Sequence, residues 1–183
     1  MLQATIVSSR EELLQIYQLN QQNLRQNLTI EEQKKEGFVT WLYPVKLLEQ
    51  MHRLAPAVIV KDGDIVAAYA LTTLKEASAF HPDLELMFRN LEQVRYKQKE
   101  LFSYRFYCMG QICVAKEYRG RGIVKALYQK HKEVYGARYE FILTEVSTSN
   151  RPSLIAHEKA GFTTIYTYRD PMDEWNVIIW DWN

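Results

Sequence analysis

Residues 111–128 read Gln-Ile-Cys-Val-Ala-Lys-Glu-Tyr-Arg-Gly-Arg-Gly-Ile-Val-Lys-Ala-Leu-Tyr. A β-prone run ends, two glycines one residue apart let the backbone turn with no Cβ in the way, and an amphipathic helix begins at Ile123. That arrangement suits an anion. The first N–H groups of a helix lack intrahelical partners, the positive end of the helix dipole favours negative charge, and Arg119 and Arg121 add charge-assisted donors. Two readings stand at this point: a solvated turn, or a site for a phosphate or pyrophosphate. A nucleoside-triphosphate loop needs Gly-Lys-Ser/Thr where this chain has Gly122-Ile123-Val124. A dinucleotide loop needs a third glycine where Lys125 stands, so NAD is a weak alternative.

A second group of chemistry-bearing residues follows: Thr144-Glu145-Val146, then Asn150-Arg-Pro-Ser153-Leu-Ile-Ala-His157-Glu-Lys-Ala-Gly161-Phe162. Glu145 lies on a predicted strand and projects opposite to Thr144 and Val146. A carboxylate there can accept a proton. Its alternative is a glutamate satisfied by a neighbouring Lys or Arg. His157 can donate a proton at neutral pH if its imidazolium keeps an ordinary pKa near 6.5. Asn150 suits the turn into, and cap of, the helix that Pro152 begins.

The loop from Arg119 to Val124 and the later run, taken in this order and spacing, resemble the GNAT superfamily of N-acetyltransferases. The loop is similar to that family's Arg/Gln-x-x-Gly-x-Gly/Ala coenzyme A motif, and the resemblance spans about residues 108–166. It implies acetyl-CoA as co-substrate, no metal, and strands at about 106–115 and 139–146 that splay around the pantetheine arm. Backbone groups of Ile112, Cys113 and Val114 would then pair with the pantetheine amides, and an N–H near Val114 would face the acyl oxygen. Amides of Arg119, Gly120, Arg121, Gly122, Ile123 and Val124 would hold the pyrophosphate. Asn150 would touch the arm, with Ser153 one turn further on. Two positions depart from the pattern. Val124 replaces the usual Gly or Ala, and His157 stands where the family usually has the Tyr that protonates the departing thiolate. If His157 is that acid, activity falls as pH rises through its pKa; if it merely sits near the thiol, it transfers no proton.

The resemblance implies direct transfer of an acetyl group to a primary amine of a small molecule or peptide, with Glu145 as base and His157 as acid. The alternative is an acyl-CoA-binding module without efficient transfer. No nucleophilic residue is required. Cys108 and Cys113 are five apart in one predicted strand, an odd separation that points them to opposite faces as two buried thiols.

The positioning elements follow from periodicity. Ala4 to Val7 is β-prone, Ser9 and Glu12 resemble a capping box, and Leu13, Leu14, Ile16, Tyr17 and Leu24 recur at helical spacing. Residues 25–42 are irregular, and Val45 to Leu54 is a second helical pattern. Residues 57–60 and 65–74 form a hairpin around Asp62-Gly63. Residues 82–99 look helical, 101–115 read as one long strand, and the helix from Ile123 closes at Gly136. Strands at 139–146, 162–168 and 175–182 surround a short helix ended by Gly161. The order is α/β with a mixed sheet. The resemblance refines this to a mostly antiparallel, six- to seven-stranded sheet with a central splayed parallel pair and helices on both faces.

The 183 residues read as a single domain with its coenzyme-binding core at about 101–166. With 47% apolar and 25% charged residues, and 23 Lys and Arg against 22 Asp and Glu, disorder and coiled coil are excluded as overall descriptions. A net charge of +1 provides no global attraction to nucleic acid or anionic lipid, so phosphate recognition must be local. No run approaches the ~18 apolar residues of a membrane span, and the start lacks a basic region followed by an apolar one. A soluble cytoplasmic chain is expected, with acetyl-CoA and an amine as partners and a homodimer left open.

Overall fold

Ser9 Oγ accepts the Glu12 N–H while the Glu12 carboxylate accepts the Ser9 N–H, so helix α1 (Arg10–Gln22) opens at the capping box read from the sequence. The computed structural model describes residues 1–183. It also contains a helix not expected in the irregular stretch. Thr29 and Glu32 form a second capping box, and α2 (Ile30–Glu36) follows it. The Thr-x-x-Glu spacing was the available signal; the missing apolar face hid it. Helix α3 (Val45–Leu54) lies where its periodicity placed it.

Strands β1 (Leu2–Ile6), β2 (Val58–Asp62) and β3 (Ile65–Ala70) pair antiparallel, β2 and β3 around Gly63 at φ 60°. Helix α4 (Pro82–Leu91) ends eight residues short of the expected 99. The remainder is a tight hairpin, β4 (Arg95–Tyr96) and β5 (Lys99–Glu100), turned by Lys97 and Gln98 at φ 45° and 66°. Burial decides this. Val94 and Leu101 both enter the core and are joined by the Leu101 N–H to the Val94 carbonyl at 3.0 Å, which a continuing helix would prevent.

The expected long strand over 101–115 is divided. Its first part, β6 (Phe106–Cys108), pairs parallel with β8 (Phe141–Ser147); its second, β7 (Ile112–Val114), pairs antiparallel with β3. Two four-stranded sheets result, β1-β2-β3-β7 and β6-β8-β10-β9, where β9 is Thr163–Arg169 and β10 is Glu174–Asp181. The parallel pair that opens at its end is the splayed pair that was expected. Helices α1, α3 and α4 cover one face, and α5 (Ile123–Tyr135) and α6 (Arg151–Ala160) cover the other.

The break also corrects the cysteines. Met109-Gly110-Gln111 interrupts the alternation of faces, so Cys108 packs with Phe88 and Leu91 while Cys113 packs with Tyr69 and Leu13, both on the α1–α3–α4 side. Both thiols are free and buried.

Gly110 sits at the break in close contact. A Cβ there would lie 2.4 Å from Thr73 Oγ1 and 2.8 Å from Tyr43 Oη. Gly110→Ala is expected to destabilise the protein by about 1–3 kcal/mol, read as a lower urea midpoint with an unchanged slope.

Candidate active site

The gap between β7 and β8 is built by ladder geometry. In an antiparallel ladder alternate residues turn their N–H and C=O to the same neighbour. The Leu71 N–H donates to the Gln111 carbonyl at 2.8 Å and the Ala115 N–H to the Ala67 carbonyl at 2.9 Å, so Gln111, Cys113 and Ala115 face β3. Ile112 and Val114 therefore direct their backbone groups into the gap. On the other lip, the Thr148 N–H to Glu174 carbonyl bond (2.9 Å) and the Trp182 N–H to Glu140 carbonyl bond (3.0 Å) bracket the β8–β10 ladder. Thr144 and Val146 thus face β10, and Glu145 and Ser147 turn their backbones to the gap. The last bond joining the lips is from the Met109 N–H to the Leu143 carbonyl at 2.7 Å. Cys113 is corrected here: its amide and carbonyl belong to the β3 ladder, not to the gap, and burial pushes its thiol up to about 12.

At the mouth, Gly120 and Gly122 adopt φ 75° and 74° and have no atom within 4 Å of a built Cβ. Gly122 caps α5 with no side-chain bond, and the first intrahelical bond comes from Ala126. The amides of Ile123, Val124 and Lys125 are consequently without helical acceptors, the local geometry that an anion at a helix start would need. Arg121 is exposed and lies over the Tyr118 ring at 5.5 Å. Arg119 does not supply the free donor expected of it: its guanidinium binds the Val114 carbonyl, Asn23 Oδ1 and the Glu36 carboxylate.

Glu145 projects into a cavity of roughly 180 Å³ between the lips, walled by Trp41, Tyr43, Met87 and Trp175. Burial, the largest cause, raises its carboxyl to about 7; the Tyr168 hydroxyl, donating to Oε1 at 2.9 Å, works against this, and Asp170 adds to it. No Lys or Arg lines the cavity, which excludes the ion-paired alternative, while Asp83 and Asp170 do. Tyr168 is held in turn by Asn90 Nδ2 at 3.4 Å. Neither residue was identified from the sequence. They lie 23 and 55 positions from Glu145, and only strand pairing and the packing of α4 bring them together.

His157 also lines the cavity but is 1% exposed. Its Nδ1 donates to the Ser153 carbonyl at 2.7 Å, so Nε2 is the acceptor for the Tyr128 hydroxyl at 2.6 Å. Burial lowers its pKa to about 4, against a smaller upward effect of the Ser153 carbonyl. Of the two readings of His157, its burial and bonds favour a neutral imidazole at pH 7 over an imidazolium acid. Ser153 Oγ lies 3.4 Å from the same nitrogen. Asn150 caps α6 through Oδ1 and the Ser153 N–H at 3.4 Å, while its Nδ2 donates to the Phe38 carbonyl at 2.8 Å. The cap reading thus holds, and a tie to residue 38 joins it.

A model of the acetyltransferase (GNAT) family matches residues 13–162. Among solved structures, a GNAT family acetyltransferase from Streptococcus agalactiae is 14% identical with TM-score 0.67, covering 100% of this chain and 96% of that one. The NatC complex bound to Gag peptide and CoA is 14% identical with TM-score 0.66, covering 100% and 99%. The ribosomal-protein-S18-alanine N-acetyltransferase of Escherichia coli is 14% identical with TM-score 0.62, covering 99% and 94%. At such identity the likeness concerns the fold. No curated protein sequence matches the chain.

Two titrations follow from these environments. The Glu145 carboxyl is raised from 4.5 to about 7, so the unfolded chain releases its proton first and stability falls as pH rises across that interval. Glu145→Gln should therefore raise the unfolding free energy at pH 8, by up to about 3 kcal/mol, and change it little at pH 4. His157 should show no imidazole titration by NMR between about pH 5.5 and 8.

Proposed function

Because the chain belongs to the GNAT family of acetyltransferases, we propose that it transfers an acetyl group from acetyl-CoA directly to the primary amine of a small molecule or peptide. Residues 1–183 serve this reaction as one domain. The observation that carries the reading is Glu145, a carboxyl with a pKa of about 7, in a cavity between the lips of the gap that no Lys or Arg lines.

The gap suits the coenzyme. The backbone groups of Ile112 and the Val114 N–H offer an extended amide-bearing arm the pairing that β8 does not supply, and the uncapped first turn of α5 with open space at Gly120 and Gly122 suits a pyrophosphate. One fold relative, the NatC complex, holds CoA together with a peptide, which supports the reading. Acetyl-CoA, when bound, supplies an acetyl thioester. Glu145 takes a proton from the acceptor's ammonium, leaving the nitrogen lone pair free to attack the acyl carbon; the new C–N bond replaces the C–S bond, and coenzyme A leaves as a thiolate that takes up the second proton shed by the nitrogen. Tyr168 occupies Oε1, so Oε2 is the oxygen that receives the proton. The Val114 N–H, directed into the gap, donates to the negative charge that develops on the acyl oxygen. Asp83 and Asp170 favour entry of a cationic amine. His157 holds the Tyr128 hydroxyl and the Ser153 carbonyl, and so positions the start of α6.

One observation favours a second reading, a module that binds acyl-CoA without efficient transfer: a neutral His157 stands where an acid for the thiolate is expected. Calorimetric titration with acetyl-CoA, with dephospho-CoA and NAD as controls, followed by an amine panel, separates the readings. An enzyme shows acetyl-CoA binding and turnover, a module binding alone, and no binding defeats both. For the enzyme, kcat should rise with pH to a plateau above about 7, because only the ionised carboxylate accepts a proton. Tyr168→Phe should move that limb to higher pH, since the lost hydroxyl bond favoured ionisation. Glu145→Gln should lower kcat by about 100-fold or more with acetyl-CoA affinity retained.

A further inference from the structure

The guanidinium of Arg119 joins three parts of the chain. Nε donates to the Val114 carbonyl at 3.0 Å in β7, Nη2 to Asn23 Oδ1 at 2.7 Å just past α1, and Nη1 to the Glu36 carboxylate at the end of α2. The charge pair is partly shielded, its side chains 26% and 19% exposed, and Lys116 stands 3.9 Å from the same carboxylate. Residues 23–39 form a closed loop, since the Arg25 N–H donates to the Val39 carbonyl at 2.9 Å and the Val39 N–H to the Asn23 carbonyl at 3.0 Å.

Directly after Glu36, residues Phe38, Val39, Thr40 and Trp41 wall the cavity that holds Glu145. The far side of this wall is tied to α6 by Asn150 Nδ2 on the Phe38 carbonyl at 2.8 Å, and Gly37, at φ 79°, leaves only 2.9 Å between a built Cβ and Asn150 Oδ1. A strap therefore crosses the gap from the glycine turn to α6. The residue that opens the turn and the residue that caps α6 are its two anchors.

We infer that Arg119 is a positioning residue with Glu36 as its counter-charge, tying the glycine turn to the wall of the acceptor cavity, so that coenzyme held at the turn orders the strap. The inference rests on the coenzyme reading of the turn. Its rival is a phosphate-binding Arg119 that leaves Glu36 when the coenzyme arrives. The two differ in sign at Glu36. For a ligand, removing the carboxylate frees the guanidinium and strengthens coenzyme binding. For a positioning pair, removing either partner loosens the turn and weakens it.

The test is calorimetric titration of coenzyme A into the wild-type chain, Glu36→Gln, Arg119→Gln and the double variant, with amide hydrogen exchange of residues 36–41 followed with and without coenzyme A. Both single variants should weaken binding by a similar factor, about 3- to 10-fold, and the double variant should be no worse than the weaker single one. Coenzyme A should slow exchange at 36–41 in the wild type and in neither variant. Arg119→Lys keeps the charge but loses the three-way fork, and should behave like Arg119→Gln; it serves if the latter fails to fold. Tighter binding by Glu36→Gln, or unchanged binding and exchange in that variant, overturns the inference alone. No binding of coenzyme A by the wild-type chain overturns the coenzyme reading and this inference with it.

Discussion

Past the Met109 N–H, which still reaches the Leu143 carbonyl, the chain leaves β8 at Gly110 and Gln111, where side chains hold it. The Tyr43 hydroxyl donates to the Gly110 carbonyl at 3.2 Å, Gln111 Nε2 donates to the Trp41 carbonyl at 2.7 Å, and Gln111 Oε1 accepts from the Tyr69 hydroxyl. Gly110 fits between Thr73 and Tyr43 only because it lacks a Cβ. With the backbone fixed in this way, β7 turns to β3 and cannot rejoin β8. Two rows of backbone groups are left facing each other across a gap, the Val114 carbonyl among them held by Arg119. Unpaired backbone groups inside a protein are costly, so a gap of this kind favours a guest with amides of its own.

Burial sets the charges around that gap. It raises the Glu145 carboxyl and lowers the imidazole of His157, because each then avoids holding an uncompensated charge in a poorly solvated place. The tyrosines serve both: Tyr168 donates to the carboxylate and Tyr128 to the imidazole. A carboxyl poised near neutrality beside aromatic walls is suited to taking a proton, whereas an imidazole with both nitrogens bonded is suited to holding a helix in place. None of the chain's own Lys or Arg side chains lines the cavity. Arg119 is bound to Glu36 and Asn23 outside it, and Arg121 remains at the surface beside the turn.

Local signals were legible wherever a short stretch decides its own structure. The Ser9 capping box, the Asp62-Gly63 hairpin, the glycine turn before α5 and Pro152 at the start of α6 need only neighbouring residues, and all stand where the sequence placed them. The failures share another origin. The long strand over 101–115, the helix running to 99 and the opposed cysteines were all periodicity read through a point where the core imposes a break. Periodicity reports which residues are apolar, but it does not report that Val94 and Leu101 must enter the same cluster or that Tyr43 holds Gly110.

The sequence by itself determined the glycine turn before α5, the alternation of strands and helices around it and the presence of a carboxyl at 145 and a histidine at 157, since residue types and spacing along the chain state these directly. Only the tertiary structure decided what those groups are. Whether Glu145 meets a lysine or a tyrosine, whether His157 is charged, and whether Arg119 is free or bound to Glu36 depend on contacts 23, 29 and 83 residues apart. Proton affinity is a property of surroundings, and those surroundings exist only once the chain has folded.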